Sequence, residues 1–329
     1  MKLAIAVLFL VGFAQAHINY QDVLEKEFDS FKQLYNKIYK DVKEHEQRKQ
    51  IFKDNKELIN KHNKGHAAGE KSYKMGVNQF TDLHSNEFKE LMLSTFNPND
   101  LINGIGYIHT SSASVKNPES IDWRDSGAVT GVKDQGPCGS CWAFSAVGSL
   151  EGQHFIKNQQ LVSLSEQNLV DCSKKDGGCQ GGWPANALQY IKDNGGVDTE
   201  DSYPYEAKDG DCRFNGEHIG ATVSDIAGVA SGDESALATA VAEKGPISVA
   251  IDASLFQHYQ GGVFDEPSCQ GGVNHGVVVV GYGHDDQGGD YWQVKNSWGQ
   301  SWGENGYIRM ARNKNNQCKI ASFGVFPVV

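Results

Sequence analysis

The stretch that decides the fold is Lys133-Asp134-Gln135-Gly136-Pro137-Cys138-Gly139-Ser140-Cys141-Trp142-Ala143-Phe144-Ser145. In it, a glycine-rich turn leads directly into an apolar segment that can form a helix. The first turn of a helix has unpaired N–H groups and a partial positive charge, and both favour a thiolate over a thiol. Cys141 is therefore the candidate nucleophile. The side-chain amide of Gln135 can donate a hydrogen bond to a developing oxyanion.

Length and charge suggest more than one module. The chain has 329 residues, and domains typically contain about 100 to 200 residues. Its formal net charge of −11 argues against a nucleic-acid-binding protein, which would present a basic face. Residues 17–116 are nearly neutral and the acidic excess lies in residues 117–329. We interpret the two segments as different modules.

The first sixteen residues have the three parts of a secretory signal peptide. Met1-Lys2 is followed by the apolar run Leu3–Phe13 and then by Ala14-Gln15-Ala16, which suits cleavage after Ala16. No other stretch is apolar over the length needed to span a membrane. We expect a soluble protein of the secretory pathway, destined for a lysosome, an acidic digestive vacuole or the extracellular space.

An odd number of cysteines leaves one thiol without a partner. The seven are Cys138, Cys141, Cys172, Cys179, Cys212, Cys269 and Cys318. The unpaired thiol in an oxidising compartment is a candidate reactive group, and its helix-start setting makes Cys141 the best choice. Two alternatives remain: Cys138 and Cys141 as a redox dithiol, or a structural zinc site, which the lack of paired C-x-x-C units disfavours.

Periodicity predicts a helical first module. Apolar residues recur at three- and four-residue steps through residues 19–63, which indicates helix. A short strand-like segment follows at Tyr73–Phe80, and another helix is predicted from Thr81. From Phe96 to Pro118 the composition is typical of a linker.

The second module begins with helices and ends with strands. Helical patterns follow Cys141 and recur in residues 165–170 and 185–193. Residues 246–251 and 276–282 are short runs rich in β-branched residues, and residues 291–295 alternate as in a half-buried strand. This order predicts an α+β architecture with two lobes.

A base and its orienting group can come from the strand-rich half. His275 precedes the apolar strand 277–281, where a rigid element can aim its ring at a cleft. Asn296 follows the strand 291–295, and its amide oxygen can fix one imidazole tautomer. Trp298 can shield that hydrogen bond from water. Each residue alone is equally compatible with ordinary loop or turn structure.

The residues together match a family signature. The stretch 135–142 resembles the active-site segment of papain-like cysteine proteases. The first module resembles a cathepsin L-like propeptide in two motifs. The ERFNIN pattern is matched by Glu44, Arg48, Phe52, Asn55, Ile59 and Asn63, and the GxNxFxD motif by residues 76–82.

The resemblance implies a domain plan and a fold. Residues 1–16 would be a signal peptide, residues 17–116 an inhibitory propeptide, and residues 117–329 the mature protease. The mature part would have the papain-like fold, with a helical lobe and an antiparallel β-barrel-like lobe. The propeptide would be mainly helical, run through the cleft in the non-productive direction and be released at acid pH. Asp82 and Glu44 are expected among the carboxylates that hold it.

The resemblance also assigns the chemistry. Cys141 and His275 would form a thiolate–imidazolium pair, Asn296 would orient His275, and Gln135 would help bind the oxyanion. No metal or other cofactor is expected. The implied disulfides are Cys138–Cys179, Cys172–Cys212 and Cys269–Cys318. A catalytically silent binding or storage protein with the same fold is the alternative.

Substrate contacts are implied in the same way. The expected substrate-binding residues are Gly181, Gly182, Trp183, Pro184, Ala250, Val273, Asn274, Gly276, Trp298 and Phe323. Phe323 would shorten the pocket for the second residue before the cut, which favours mid-sized aliphatic side chains. Expected partners are protein and peptide substrates, the chain's own propeptide and cystatin-type inhibitors. The protein is expected to be a monomeric endopeptidase that binds neither nucleic acid nor membranes.

Overall fold

The computed structural model describes residues 20–94, 96–97, 99, 101, 105–110 and 117–329. The predicted signal peptide and residues 111–116 of the predicted propeptide lie outside the described residues. Within them, the fold is α+β, as expected from the order of the sequence patterns.

The described helices and strands follow in chain order. The α-helices are α1 (Tyr20–Leu34), α2 (Val42–Ala67), α3 (Ser85–Met92), α4 (Cys141–Asn158), α5 (Glu166–Cys172), α6 (Pro184–Asn194) and α7 (Glu234–Lys244). The strands are β1 (Tyr73–Met75), β2 (Tyr107–His109), β3 (Ile121–Asp122), β4 (Val197–Asp198), β5 (Ile219–Ala221), β6 (Asp225–Val229), β7 (Ile247–Ile251), β8 (Tyr259–Phe264), β9 (His275–Asp285), β10 (Gly289–Lys295), β11 (Tyr307–Ala311) and β12 (Gly324–Val328).

Helices α1 and α2 form a small unit with its own core. Phe28, Phe31 and Phe52 are buried against one another, and the Phe31 and Phe52 ring centroids lie 4.9 Å apart. The predicted helical span is interrupted, because Asp41 caps α2 by accepting a hydrogen bond from Glu44 N at 2.9 Å. The helix predicted from Thr81 begins at Ser85 instead.

The helical lobe is built around α4. Twelve of its eighteen residues are buried, because α4 packs against other elements on more than one side. Trp142, Leu150 and Trp183 belong to its core. This central burial fixes the position of Cys141, the first residue of the helix.

The second lobe is a curved sheet whose two ends are covered by the first module. The strand order is β1-β8-β11-β10-β9-β7-β12-β6-β2, with β3 paired to β9. Strand β1 pairs antiparallel with β8, and β2 pairs parallel with β6. These short strands therefore cover part of the outer side of β8 and of β6. Strand β2 lies in the segment predicted to be a linker and was not expected.

The two lobes meet where α4 packs on β9. Ser145 Oγ donates to Val277 O at 2.6 Å, and a Cβ at Gly148 would lie 2.9 Å from Val278 Cγ2. Ser149 Oγ also donates to Pro246 O at 2.8 Å. These short contacts set the start of β9 beside the start of α4.

The α1–α2 core yields a test of how the first module is held together. Phe28 is fully buried, so Phe28→Ala should lower the local unfolding free energy of α1 and α2 by about 3 kcal/mol or more. Amide hydrogen exchange on a Cys141→Ser precursor measures this loss. Val23→Ala changes an exposed position on the same helix and should leave protection unchanged. Equal protection in both variants would contradict the assignment of Phe28 to this core.

Candidate active site

Cys141 lies at the start of α4 and is fully buried. It is the free cysteine of the chain. Burial raises the pKa of the Cys141 thiol, although a hydrogen bond with Ser94 and the backbone N–H groups of Gly276, Trp142 and Cys141 act in the opposite direction. Burial outweighs the helix-start effect here, and the neutral thiol is favoured.

The other six cysteines form three disulfides. The structure joins Cys138 to Cys179, Cys172 to Cys212 and Cys269 to Cys318. The backbone N of Gly139 donates to Cys179 O at 2.9 Å, and a Cβ at Gly139 would lie only 2.5 Å from that oxygen. The glycine therefore permits the close approach that sets the turn before Cys141.

Gln135 is buried with its amide held at both ends. Ser297 Oγ donates to Gln135 Oε1 at 2.7 Å. Gln135 Nε2 donates to Cys138 O at 3.0 Å and lies 3.4 Å from Met92 O of the first module. Because Oε1 accepts from Ser297, Nε2 is the donor end of the amide, and its partners are two backbone carbonyl groups. The contribution of Ser297 was not anticipated, and its position next to Asn296 is the only sequence signal for it.

His275 begins β9 and is paired with Asn296. His275 Nε2 lies 2.7 Å from Asn296 Oδ1, which also accepts from Ser297 N at 2.8 Å. Because Oδ1 accepts the Ser297 N–H, it is an acceptor towards His275 as well, and Nε2 is the donor. Nδ1 has no hydrogen-bond partner among the described residues, which leaves it with the lone pair of a base.

Burial also sets the charge of His275. Burial lowers the pKa of His275 to about 4, and the hydrogen bond to Asn296 offsets only part of this effect. The Trp298 ring centroid lies 4.6 Å from that of His275. The raised pKa of Cys141 and the lowered pKa of His275 both favour the neutral side chains, whereas the expected thiolate–imidazolium pair needs both to be charged. The physical cause of both shifts is burial, and Ser94 of the first module is one of the residues that contact the buried Cys141 sulfur.

Residues of the first module fill the cleft. Ser94 Oγ lies 3.3 Å from Cys141 Sγ and donates to Gly139 O at 2.9 Å. Ser94 N donates to Asn274 O at 2.8 Å. Asn97 O accepts from Trp183 Nε1 at 2.8 Å. No sequence pattern pointed to Ser94, since these contacts join positions far apart in the chain.

A cavity of about 300 Å³ lies beside this segment. Of the expected pocket residues, its lining contains Trp183, Pro184, Ala250 and Phe323. Leu101 and Ile105 of the first module also line it. The Phe323 ring centroid is 5.1 Å from that of Trp183, which narrows the space between them.

The remaining expected contacts lie elsewhere in the cleft. Val273 and Gly276 were expected to complete the pocket walls, but neither is among the described residues that line this cavity. Gly276 instead packs on the catalytic helix, where a Cβ would lie 3.0 Å from Cys141 O. Gly181 and Gly182 directly precede Trp183, and Gly181 O accepts from Gly177 N at 2.7 Å.

The part of the chain that the structure describes contains no group of three or more His, Cys, Asp or Glu side chains that could hold a metal ion. Its helices include none that is long and apolar enough to cross a bilayer.

Comparison with known proteins agrees with this geometry. Residues 117–328 match the family model described as papain family cysteine protease, and residues 28–88 match the cathepsin propeptide inhibitor domain. The chain is 52% identical to cathepsin L of Sarcophaga peregrina, over 99% of this chain and 98% of that protein. It is also 52% identical to cathepsin L1 of Drosophila melanogaster, over 98% and 90%.

A solved precursor has the same architecture. The digestive procathepsin L2 proteinase from Tenebrio molitor larval midgut superposes with a TM-score of 0.89 at 44% identity, covering 93% of this chain and 100% of that one. The expected fold and the expected protease precursor are thus confirmed. The chain belongs to the papain family of cysteine proteases, and it is a cathepsin L-like precursor that carries its propeptide inhibitor domain.

Proposed function

We propose that the mature domain, residues 117–329, hydrolyses internal peptide bonds with Cys141 as nucleophile and His275 as proton carrier. The observation that carries this assignment is the hydrogen bond between His275 and Asn296. It leaves Nδ1 as the basic nitrogen, while Gly276 packs directly on Cys141.

Each step of peptide hydrolysis can then be assigned to a residue. Once the propeptide leaves, water reaches the site and the desolvation that favours the neutral pair is relieved, so the Cys141 proton can pass to His275. The thiolate attacks the peptide carbonyl, and Gln135 Nε2 and the Cys141 N–H stabilise the oxyanion. His275 protonates the leaving amine, and water then hydrolyses the thioester. Asn296 keeps the ring oriented throughout.

The order of contacts supports inhibition by a propeptide that runs backwards, with residues 17–116 as its proposed extent. Phe88 packs on Trp298 with ring centroids 5.3 Å apart, Ser94 lies at Cys141, and Asn97 lies at Trp183. A substrate with its second residue before the cut near Trp183 would run towards Trp298. The propeptide passes these points in the opposite order.

The catalytic assignment predicts a single essential thiol. Cys141→Ala in the processed enzyme should abolish peptide hydrolysis, and a thiol-directed inhibitor should titrate one site in the parent and none in the variant. Cys138 is paired with Cys179, so Cys138→Ser with Cys179→Ser is the control for the redox alternative. It should retain turnover per titrated site. If turnover required both Cys138 and Cys141, the redox dithiol would be favoured. An inactive parent enzyme would favour the catalytically silent binding protein.

The cavity supports a preference for mid-sized aliphatic side chains. Its wall is mostly apolar, and Leu101 and Ile105 of the propeptide lie against it. Phe323 is 37% exposed and packs on Trp183, so its ring limits the length of a side chain that enters. Leucine and valine fit such a pocket better than phenylalanine or arginine.

Phe323→Ala should lengthen this pocket. The ratio of kcat/KM for phenylalanine over leucine at the second residue before the cut should rise about tenfold, since pocket contacts of this size discriminate by about 1–3 kcal/mol. Matched fluorogenic peptides measure the ratio. Leu255→Ala, at an exposed position that does not line the cavity, should leave it unchanged. A parent enzyme that already prefers phenylalanine or arginine would contradict the proposal.

Several ionisable side chains are candidates for the groups whose protonation starts propeptide removal at acid pH. Asp82 accepts from Lys37 Nζ at 2.9 Å, and Glu44 accepts from Lys40 N at 2.7 Å. Both contacts stabilise the propeptide's own fold rather than its attachment. Arg48 Nη1 donates to Glu87 at 2.9 Å. Partial burial raises the pKa of Glu87, but the His84 N–H and the Arg48 charge outweigh it and lower the pKa overall.

His258 lies where the propeptide attaches. His258 O accepts from Gly76 N at 2.9 Å, and the neighbouring Gln257 O accepts from Asn78 Nδ2 at 2.7 Å. Neither ring nitrogen of His258 has a partner among the described residues. Burial lowers its pKa to about 4. A ring that propeptide release exposes would regain its ordinary pKa of about 6.5 and bind more protons than the buried ring, so the bound propeptide would lose stability as the pH drops from about 6.5 to about 4.

His258→Leu should therefore make the precursor more resistant to acid. Processing at pH 5 should slow by about tenfold, and the half-maximal pH should move down, because the proton-driven penalty is removed. Gel-resolved processing rates across pH 4 to 7 measure the shift. His284→Leu changes an exposed histidine and should process as the parent does. An unchanged half-maximal pH in His258→Leu would exclude this residue as a trigger.

Partners and destination follow from the same proposal. We expect protein substrates, cystatin-type inhibitors and a monomeric enzyme in the secretory pathway. Relatives named digestive cysteine proteinase 1 and 2 from Homarus americanus are 48% and 46% identical to the chain. Their names support an acidic digestive compartment or secretion.

A further inference from the structure

Four ionisable side chains lie together behind the proposed catalytic residues, three of them buried and Lys133 20% exposed, and we call them the ion cluster. They are Lys133, Glu151, Glu166 and Lys295. These four side chains line a cavity of about 20 Å³, and Asn296 and Ser297 also line it. The cluster therefore borders the segments that hold the catalytic side chains.

Glu151 connects the members of this cluster. Its Oε1 accepts from Lys133 Nζ at 3.2 Å and from Leu164 N at 3.0 Å. Its Oε2 accepts from Thr130 Oγ1 at 2.5 Å, and Thr130 Oγ1 in turn accepts from Lys295 Nζ at 2.8 Å. The single hydroxyl proton of Thr130 thus joins Lys295 to Glu151 in one continuous chain of hydrogen bonds.

The charges of the cluster keep Glu151 ionised. Burial raises its pKa, but the charges of Lys133 and Lys295 outweigh burial and lower the pKa overall. Buried ion pairs are weak evidence for stabilisation, because desolvation consumes much of the attraction. Charge-assisted hydrogen bonds nevertheless fix geometry well. The cluster is therefore better explained as a set of contacts that aligns neighbouring chain segments than as a source of folding free energy.

The three segments that contain Cys141, Gln135 and Asn296 are joined at Glu151. Glu151 is on α4, the helix that begins with Cys141. Lys133 lies two residues before Gln135, and Lys295 directly precedes Asn296. One carboxylate is thus bonded, directly or through Thr130, to the segments of the nucleophile, the oxyanion donor and the orienting amide.

We propose that Glu151 is a positioning residue for the proposed protease reaction, holding α4 in register with the Gln135 and Asn296 segments through Lys133, Thr130 and Lys295. This inference depends on the catalytic roles proposed above. A displacement of about 1 Å between reacting groups can cost about 10²-fold in rate. The hydrogen bonds from Lys295 through Thr130 to Glu151 are called the bridge below. The pocket at Trp183 and Phe323 is not bonded to this cluster, so loss of the bridge should lower kcat rather than change KM.

A substitution at Thr130 can remove these hydrogen bonds with little change in the shape of the side chain. Thr130→Val removes the hydroxyl and should lower kcat per titrated active site by about tenfold or more, with KM within about twofold of the parent. Thr130→Ser keeps the hydroxyl and should restore most of the rate. Lys295→Met breaks the same bridge from its other end and should show the same split between kcat and KM.

The matched control is Asp285→Asn. Asp285 Oδ2 accepts from Arg309 Nη1 at 2.7 Å, at the end of β9 opposite His275. Removing this ion pair should leave kcat per titrated site unchanged, even where thermal stability falls. Titration with a thiol-directed inhibitor counts only correctly folded sites, so a purely structural effect would reduce the titre and not the rate per site.

Two outcomes would overturn the inference. A kcat per titrated site within about twofold of the parent in both Thr130→Val and Lys295→Met would show that the bridge positions nothing. Equal losses in Thr130→Val and Thr130→Ser would assign the effect to the lost shape rather than to the hydrogen bond. A parent enzyme without Cys141-dependent hydrolysis would instead refute the proposed function, which the same titration reveals separately.

Discussion

The close packing of α4 against the start of β9 is the constraint on which the site depends. Gly276 has no room for a side chain, since a Cβ would lie 3.0 Å from Cys141 O and 3.2 Å from Ser145 Cβ. Ser145 Oγ, one helical turn after Cys141, donates to Val277 O at 2.6 Å. These contacts bring a helix terminus from one lobe and a strand terminus from the other to the same place. Because Gly276 packs on Cys141, the neighbouring His275 is held at the start of α4.

The burial that assembles the site also keeps it inactive in the precursor. Ser94 lies on the sulfur, and propeptide aromatic rings such as Phe88 pack on Trp298. Without water, both members of the pair favour their neutral forms, since burial raises the pKa of Cys141 and lowers that of His275. We therefore propose that inhibition has two physical parts, which are occupation of the cleft and suppression of the charge separation needed for attack. On this proposal, removal of the propeptide would reverse both.

Local sequence patterns were informative where one element determines the position of a residue. The helix starting at Cys141 and the strand starting at His275 could be predicted from glycine placement and apolar runs, and the resemblance supplied the disulfide pairing. Long-range contacts could not be predicted. Ser94 on Cys141, strand β2 on β6, and Glu87 as the partner of Arg48 join positions separated by more than thirty residues. Such contacts leave no periodic signal, because they arise only when the modules pack.

The most direct test of this account is the pH dependence of Cys141 alkylation by iodoacetamide in the precursor and in the processed enzyme. A thiolate paired with an imidazolium reacts far below the ordinary thiol pKa of about 8.5. The processed enzyme should be alkylated rapidly at about pH 6, whereas the precursor should react slowly until the pH is well above that value. Equal rates and equal pH profiles in the two forms would contradict the claim that propeptide burial holds the catalytic pair neutral.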